Sequence, residues 1–599
     1  MTPSSSSLAD RLVAVAGRAP DAPFLLRPGR SPVAYGTLAR QIRHVVDRFS
    51  DWGIAPGDVV AGFVRSRAPM AMACASFPAS STFAPLGSSL TPDAYRELLA
   101  RLRPKAVLAP DDPGDPLRAA AGSLGIPAMR AIPDASGGFA LGLDGSRVAP
   151  TAPIARPAHA FVIVTSGTTG RPKLAPQGHR QLVAFADAMI ELLRMGRDDA
   201  GYALTPFSLA GGVRSSIVIP ALAGASIVCL DEGDVDGFFR AIDEFAPTNL
   251  AAPFSIHRAI LRRAPAFPDQ VAASRFRFLR STAGRLDPDD ADALESLFRA
   301  PVLAGYGATE VSGIAHEPMP PRPRGRGSVG IAVGGEVRAM AADGRTCAAG
   351  EAGELVVRGG LVFDGYLDDP ALTARAFAGE WFRTGDLGRV DEDGYVFITG
   401  RLAEMINRGG EKIAPLEIDR VLEAIPGVRE AGAFGVPHAT LGEEVVAAVV
   451  PEPGATLTEA GLIARLRASL DRRRVPRRIY LVERLPRTEA GKLKRGELAA
   501  RFAADAGRAS PEPPPAAASA SPTEAALAGL WTSILRRGPV GRDDHFFLLG
   551  GDSMSAAELV RQVEAVFGVA LPLHAMFEDA PTLAVMARAI DLARAKPPR

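Results

Sequence analysis

Apolar residues recur along this chain with two periods, and the mixture changes along its length. Over residues 1 to about 400, short unbroken apolar runs alternate with stretches whose apolar positions repeat every three to four residues. The runs Val59–Val64, Phe161–Thr165, Ser226–Leu230 and Glu354–Arg358 predict strands, and Leu38–Phe49 and Val183–Arg194 predict helices. Such alternation implies a large α/β unit over 1–400. Near Gly400 the pattern restarts as a smaller α+β unit over 401–504. Here helices are expected at Leu416–Ala424 and Leu457–Leu470 and strands at Glu430–Gly435 and Val445–Val450. Residues 505–522 are rich in Pro, Ala and Ser, cannot build a core, and predict a semi-rigid linker. The stretch 523–599 is expected to form a small helical domain, with Ala556, Leu559, Val560, Val563 and Phe567 on one helical face.

Composition narrows the class. The chain has 599 residues, 47% of them hydrophobic and 23% charged, and a net charge of +1. That length requires several cores, and that charge gives no footprint for nucleic acid or an anionic membrane. The basic run Arg472–Arg478 reads as a solvated surface or as a docking patch for a phosphate-bearing partner. The three cysteines, Cys74, Cys229 and Cys347, have neither metal-ligand spacing nor the number for a disulfide framework, which fits a reducing cytoplasm. The first residues carry no signal-peptide pattern, and no apolar run approaches the roughly 18 residues of a membrane helix. Only six lysines occur, so each is worth inspection.

TSGTTGRPKLAP, Thr165–Pro176, follows an apolar strand. Small hydroxyl residues and glycines let N–H and O–H groups close around an anion, and Lys173 adds a cation. Pro172 and Leu174 break the P-loop pattern, and a surface turn is the plain alternative.

The stretch resembles the signature of adenylate-forming enzymes, which include acyl-CoA synthetases, luciferases and nonribosomal peptide adenylation domains. GYGATE (Gly305–Glu310), GEWFRTGDLG (Gly379–Gly388), GRLAEMINRGGEKIAPLEID (Gly400–Asp419) and LPRTEAGKLKR (Leu485–Arg495) resemble further motifs of that family, in its order. The resemblance implies a large N-terminal domain, a mobile small C-terminal subdomain, and activation of a carboxylic acid by ATP with loss of pyrophosphate. Thr165, Ser166, Gly167, Thr168, Thr169, Gly170 and Lys173 would hold the β- and γ-phosphates, and Glu310 would take Mg²⁺. Thr309 would reach the α-phosphate and Tyr306 would offer a flat face to the adenine, while Gly284 and Gly307 would belong to the nucleotide site and also border the acid pocket. Asp386 would accept from the ribose hydroxyls, supported by Arg401. Lys492 would bridge the substrate carboxylate and the α-phosphate; Lys492, Thr309 and Lys173 are the expected catalytic residues. The chain departs from the family at the hinge, where Ala403 replaces a polar residue, and at Ala304, where Asn or Gln is usual.

The acid pocket is expected at Phe207, Ser208, Leu209, Phe254, Ala283, Gly307 and Gly313. Adenylation domains for α-amino acids place an Asp where this chain has Leu209 and Ala210, so an α-amino acid is disfavoured and a flat aryl or short acyl acid expected. Arg214 is either solvated or the partner of a second anionic group, and His257 and His316 are read as structural.

The C-terminal stretch around LGGDS resembles a phosphopantetheine carrier domain, a four-helix bundle in which Ser553 would carry a 4'-phosphopantetheine arm; a helix cap is the alternative. That implies a phosphopantetheinyl transferase as partner and thioester formation on the chain's own carrier. The acyl group would then pass to a downstream synthase, condensation or ketosynthase protein of a nonribosomal peptide or polyketide type pathway. Two other readings stand: an acid–CoA ligase that releases acyl-CoA, and a non-catalytic scaffold for the carrier.

Overall fold

A computed structural model describes residues 7–144, 159–165, 172–282, 284, 286–438, 441–471, 473–488, 492–506, 521–535, 540–542, 544, 546, 549, 553–571 and 582–595. The chain divides into two compact units. The first is Met1–Ile406 with Lys412–Phe434 and Val445–Ala499; the second is Asn407–Glu411, Gly435–Glu444 and Ala500–Arg599.

The first unit is built on apolar strand runs. Val59–Gly62 and Thr82–Pro85 are buried at every position, as parallel strands are when both faces are covered. They lie in a seven-stranded sheet ordered Phe139–Leu143, Ala128–Pro133, Ala106–Leu108, Val59–Gly62, Thr82–Pro85, Phe161–Thr165, Lys173–Gln177. The helix expected at Leu38–Phe49 spans Tyr35–Trp52 and is ended by Gly53, whose φ of 77° suits a residue without Cβ. Its Phe49 meets Phe77 edge-on at 5.1 Å, and Phe77 meets Phe83 at 5.0 Å. Burial of each such ring contributes about 1.5–3 kcal/mol.

A nine-stranded sheet carries Val302–Tyr306, Phe278–Thr282, Asn249–Pro253, Ala200–Ala203 and Ser226–Cys229 as successive neighbours. Phe278–Thr282 is parallel to both of its neighbours, with Arg280 opposite Ala251 on one side and Leu303 on the other. A smaller antiparallel sheet pairs Gly353–Arg358 with Trp381–Val390, and the latter with Val396–Arg401. Residues from the expected small subdomain form their own core: Ile418, Leu422, Val445, Ala447, Val449 and Leu462 are buried together. The helices Pro415–Glu423 and Glu459–Ser469 match the expected helical patterns to within two residues. Ala403, at the expected hinge, is exposed in the short turn Leu402–Glu404.

In the second unit the described helices Pro522–Leu535, Ser553–Phe567 and Leu583–Arg594 share a core of Leu527, Trp531, Phe546, Leu559, Val563 and Met586. Trp531 and Phe546 meet edge-on at 5.2 Å. Ala556 is fully buried, while Val560 and Phe567 pack at the rim. Residues 507–520 of the expected linker lie outside the described residues. Among the described residues no helix is long and apolar enough to cross a membrane.

Candidate active site

The carboxyl ends of parallel strands are where α/β sheets open crevices. In the first unit a cleft of about 700 Å³ opens there, lined by Phe254, Gly284, Tyr306, Asp386, Arg401 and Lys492 among others. These six residues come from six separate sequence motifs or segments, and the fold brings them to one place.

Asp386 lies opposite Arg401 across the strand pair Trp381–Val390 and Val396–Arg401. Arg401 Nε is 2.7 Å from Asp386 Oδ1. The Tyr306 hydroxyl donates to Asp386 Oδ2 at 2.7 Å. Burial first, and the Asp386 charge next, push the Tyr306 phenol well above its ordinary pKa, so it stays a donor. One carboxylate thus organises an aromatic face and a guanidinium at the same wall. Lys492 reaches the cleft from a turn in which its N–H donates to Thr488 Oγ1 at 3.1 Å. Its side chain is open to the solvent of the cleft yet enclosed by protein. Enclosure first, and then Arg401, lower its pKa, against the pull of Asp386, Glu310 and Glu404. Arg495 holds that segment, with Nη2 2.5 Å from Asp419 Oδ2 and Nε 2.9 Å from Glu404 Oε2.

Thr165 ends its strand directly opposite Lys173, which opens the return strand. Ser166, Gly167, Thr168, Thr169 and Gly170 lie outside the described residues, as does Ala283. Lys173 Nζ stands 5.3 Å from the centre of the Tyr366 ring, and the Tyr366 hydroxyl donates to Glu310 Oε1 at 2.6 Å. Lys173, Tyr366 and Glu310 are therefore one cluster, and Tyr366 was not foreseen. Nothing in its local sequence, a Gly-Tyr-Leu between elements, carries a chemical signal.

The expected acid-pocket residues divide. Phe254, Gly284 and Gly307 line the cleft. Gly284 has φ +151°, and a Cβ there would lie 2.6 Å from the Phe254 ring, so the close approach requires glycine. Phe207 is corrected: it is 2% exposed with Arg67 3.8 Å above its ring, and it packs rather than lines. Gly313 packs against the Phe185 ring, where a Cβ would clash. Ser208 and Leu209 are half-buried ahead of the short helix Ala210–Val213.

Arg214 is neither solvated nor a pocket residue. It is 5% exposed, and its guanidinium donates to the carbonyls of Ala308, Thr309, Val311 and Ser312 and to Gln177 Oε1. Gln177 in turn donates to the Thr309 carbonyl at 2.8 Å. The loop that presents Thr309 and Glu310 is thus fixed from below by two residues whose sequence gives no hint of it. His257 and His316 are buried and hydrogen-bonded, as structural histidines.

The donor set fits Mg²⁺. Glu310 offers one further carboxylate oxygen, Oε2, and the described residues hold no cluster of three or more His, Cys, Asp or Glu side chains. A hard cation that keeps its waters and takes phosphate oxygens needs no more from the protein. When bound, it would neutralise charge on the phosphates.

Comparison with known proteins agrees with this geometry. The profile of the AMP-binding enzyme family matches residues 12–367, that of the AMP-binding enzyme C-terminal domain 417–492, and that of the phosphopantetheine attachment site 525–590. The chain is 33% identical over 509 residues to an oxalate–CoA ligase of Arabidopsis thaliana, covering 83% of this chain and 99% of that protein. It is 32% identical over 494 residues to a sulfoacetate–CoA ligase of Cupriavidus necator, covering 81% and 96%. The ATP-bound structure of MatB from Rhodopseudomonas palustris superposes with a TM-score of 0.74 at 26% identity, over 83% of this chain and 99% of that one.

Proposed function

This chain belongs to the AMP-binding enzyme family and is an AMP-forming acid–thiol ligase, and we propose that it loads a short, non-α-amino carboxylic acid onto its own carrier domain. The observation that carries the reading is the phosphopantetheine attachment profile over 525–590 in the same chain as the ligase, with Ser553 opening the helix Ser553–Phe567. The side chain of Ser553 lies outside the described residues.

In the first half-reaction a carboxylate oxygen attacks the α-phosphorus of ATP and pyrophosphate leaves. Lys492 offers an ammonium to the oxygens that gain charge, and Asp386 and Arg401 orient the ribose. Thr309, held through its carbonyl by Arg214 and Gln177, presents its hydroxyl to the α-phosphate. Lys173 and Glu310 serve the outer phosphates and Mg²⁺. In the second half-reaction the pantetheine sulfur attacks the acyl carbon, AMP departs, and the thiol proton passes to solvent. Tethering raises the carrier's effective concentration to roughly the mM range. The acyl group then serves a downstream synthase.

The acid is non-α-amino because the segment Phe207–Leu209 supplies no carboxylate for an ammonium, and the reading of a short acid is supported by two relatives named for oxalate and sulfoacetate. The same names favour a second reading, release of acyl-CoA. Intact-protein mass spectrometry separates the two. The chain is treated with a phosphopantetheinyl transferase and CoA, then offered ATP, Mg²⁺ and a panel of aryl, short acyl and amino acids. Self-loading predicts a pantetheine adduct that gains one acid's mass, lost in Ser553→Ala. An adduct that never acylates while acyl-CoA accumulates supports the second reading instead.

A further inference from the structure

Three strands run side by side at the cleft: Phe278–Thr282, Val302–Tyr306 and Ala315–His316. Ser281 stands opposite Ala304 in the first pair. Gly305 stands opposite His316 in the second, and one step further the Glu317 N–H donates to the Ala304 carbonyl at 2.9 Å. Ser281, Ala304 and Glu317 therefore form one row across the sheet. Residues in such a row share a face, and all three line the cleft. Tyr306, two residues beyond Ala304 on the same strand, shares that face and lines the cleft too.

The two ends of the row are polar and buried, and Ala304 puts only a methyl group between them. Ser281 is 3% exposed, and its Oγ has no hydrogen-bond partner among the described residues. Glu317 is 7% exposed. Its Oε2 accepts from the Ala304 N–H at 2.8 Å, and its Oε1 makes no hydrogen bond among the described residues. Burial raises its pKa above the ordinary carboxylate value, against the pull of the Ala304 N–H and of Arg324. A buried hydroxyl and a buried carboxylate oxygen are costly until a ligand pairs them. The carboxylate repels the anionic end of an acid, so the group that fits is uncharged and donates. Tyr306 ties the row to the ribose end of the cleft: its hydroxyl meets Asp386, and its Cα lies about 7 Å along the strand from that of Ala304, close to the length of a purine. Thr309 and Glu310, which serve the phosphates, follow Tyr306 beyond the carboxyl end of that strand, whereas Ala304 lies before it.

We propose that Glu317 and Ser281 read the base of the nucleotide and select a 6-aminopurine: Glu317 Oε1 accepts from the amino group, and the Ser281 hydroxyl donates to a ring nitrogen beside it. This rests on the acid-activating reading above, which puts a nucleotide in the cleft without saying what selects its base. A 6-oxopurine brings an oxygen against the carboxylate, and a purine without the amino group leaves Oε1 unpaired. The Ala304 N–H makes the pair directional. In Glu317→Gln the amide oxygen stays with that N–H, and the NH₂ turns to the base, where it fits an oxo group.

The test is isothermal titration of the full-length chain, with Mg²⁺ and no acid, against three nucleotides: ATP, ITP, whose base carries an oxo group in place of the amino group, and purine riboside triphosphate, which carries hydrogen there. The wild type is expected to bind ATP about 10- to 100-fold more tightly than either analogue. Glu317→Gln is expected to cut the preference for ATP over ITP by about tenfold or more, with ITP gaining affinity. Ser281→Ala is expected to weaken ATP by about tenfold while the preference over purine riboside triphosphate persists. A wild type that binds ATP and ITP equally overturns the assignment without any variant having to fold. So does a Glu317→Gln that weakens both equally, the mark of a structural role. Equal binding of all three removes only the reading of the base; no binding of any of them removes the nucleotide site, and the acid-activating reading with it.

Discussion

Asp386 and Arg401 sit opposite one another on adjacent antiparallel strands, with Arg401 Nε 2.7 Å from Asp386 Oδ1, and the Tyr306 hydroxyl closes the carboxylate's other oxygen. This triangle presents the polar wall of the cleft already assembled.

Asp386→Ala removes both charge-assisted contacts at once. Bonds to charged groups are worth about 1.5–3 kcal/mol, so the KM for ATP is expected to rise roughly 10- to 100-fold, measured by pyrophosphate exchange. An unchanged KM would remove Asp386 from the nucleotide site.

Arg214→Ala leaves the carbonyls of Ala308, Val311 and Ser312 and Gln177 Oε1 without the guanidinium, and Thr309 with Gln177 alone as donor. Loss of about 1–3 kcal/mol for each acceptor left unsatisfied is expected, seen as a lower Tm. Arg214→Lys rescues only part, because an ammonium cannot span that fan of acceptors. The kcat for adenylation is expected to fall with Thr309 and Glu310 loosened, with little change in KM for the acid.

Tyr366→Phe deletes the hydroxyl that orients Glu310. Partners behind a metal ligand typically carry about 10- to 100-fold of metal affinity. The Mg²⁺ concentration for half-maximal exchange is expected to rise by about tenfold, with the fold intact by Tm. Glu310→Gln should act in the same direction and more strongly.

The lowered pKa of Lys492 sets an alkaline limit. The ammonium is the working form, so the adenylation rate is expected to fall as pH rises through a value below the ordinary 10.5. Lys492→Ala should cost about 100-fold or more and erase that limb from the pH profile.

Burial pushes His257 to about 4 and His316 to about 3, from 6.5. The unfolded chain therefore takes up protons below about pH 6.5 that the fold refuses, and stability rises with pH across that window. It is fully present above 6.5 and lost as pH falls, by up to about 1.4 kcal/mol per pH unit for each histidine. Urea midpoints between pH 7 and 5 should show this, with a shallower slope in His257→Gln.

Much of the fold was legible because its signals are local. The run FVIVT at Phe161–Thr165 is a strand with the expected bounds, and the helix Tyr35–Trp52 keeps its apolar residues three and four apart. The helix that opens at Ser553 places Ala556, Leu559 and Val563 in the core, as their spacing requires. Asp386, Lys492, Tyr306 and Arg401 were legible for another reason. Each lies in a short motif whose residue types belong to one chemistry, and the cleft gathers all four.

The sequence by itself determined the order of parts, the periodic elements and which charged residues lie in the motifs that the cleft gathers. Only the tertiary structure decided what the remaining charges do. Arg214 and Arg280 look alike as letters. One donates to the Thr309 carbonyl 95 residues away and the other to the neutral ring of His316. A side chain's charge is written in its residue type, but its partner is set by which distant strands and loops pack beside it. Burial then turns that accident of position into a strong energetic difference, because a cation in a low-dielectric interior must be answered by an acceptor.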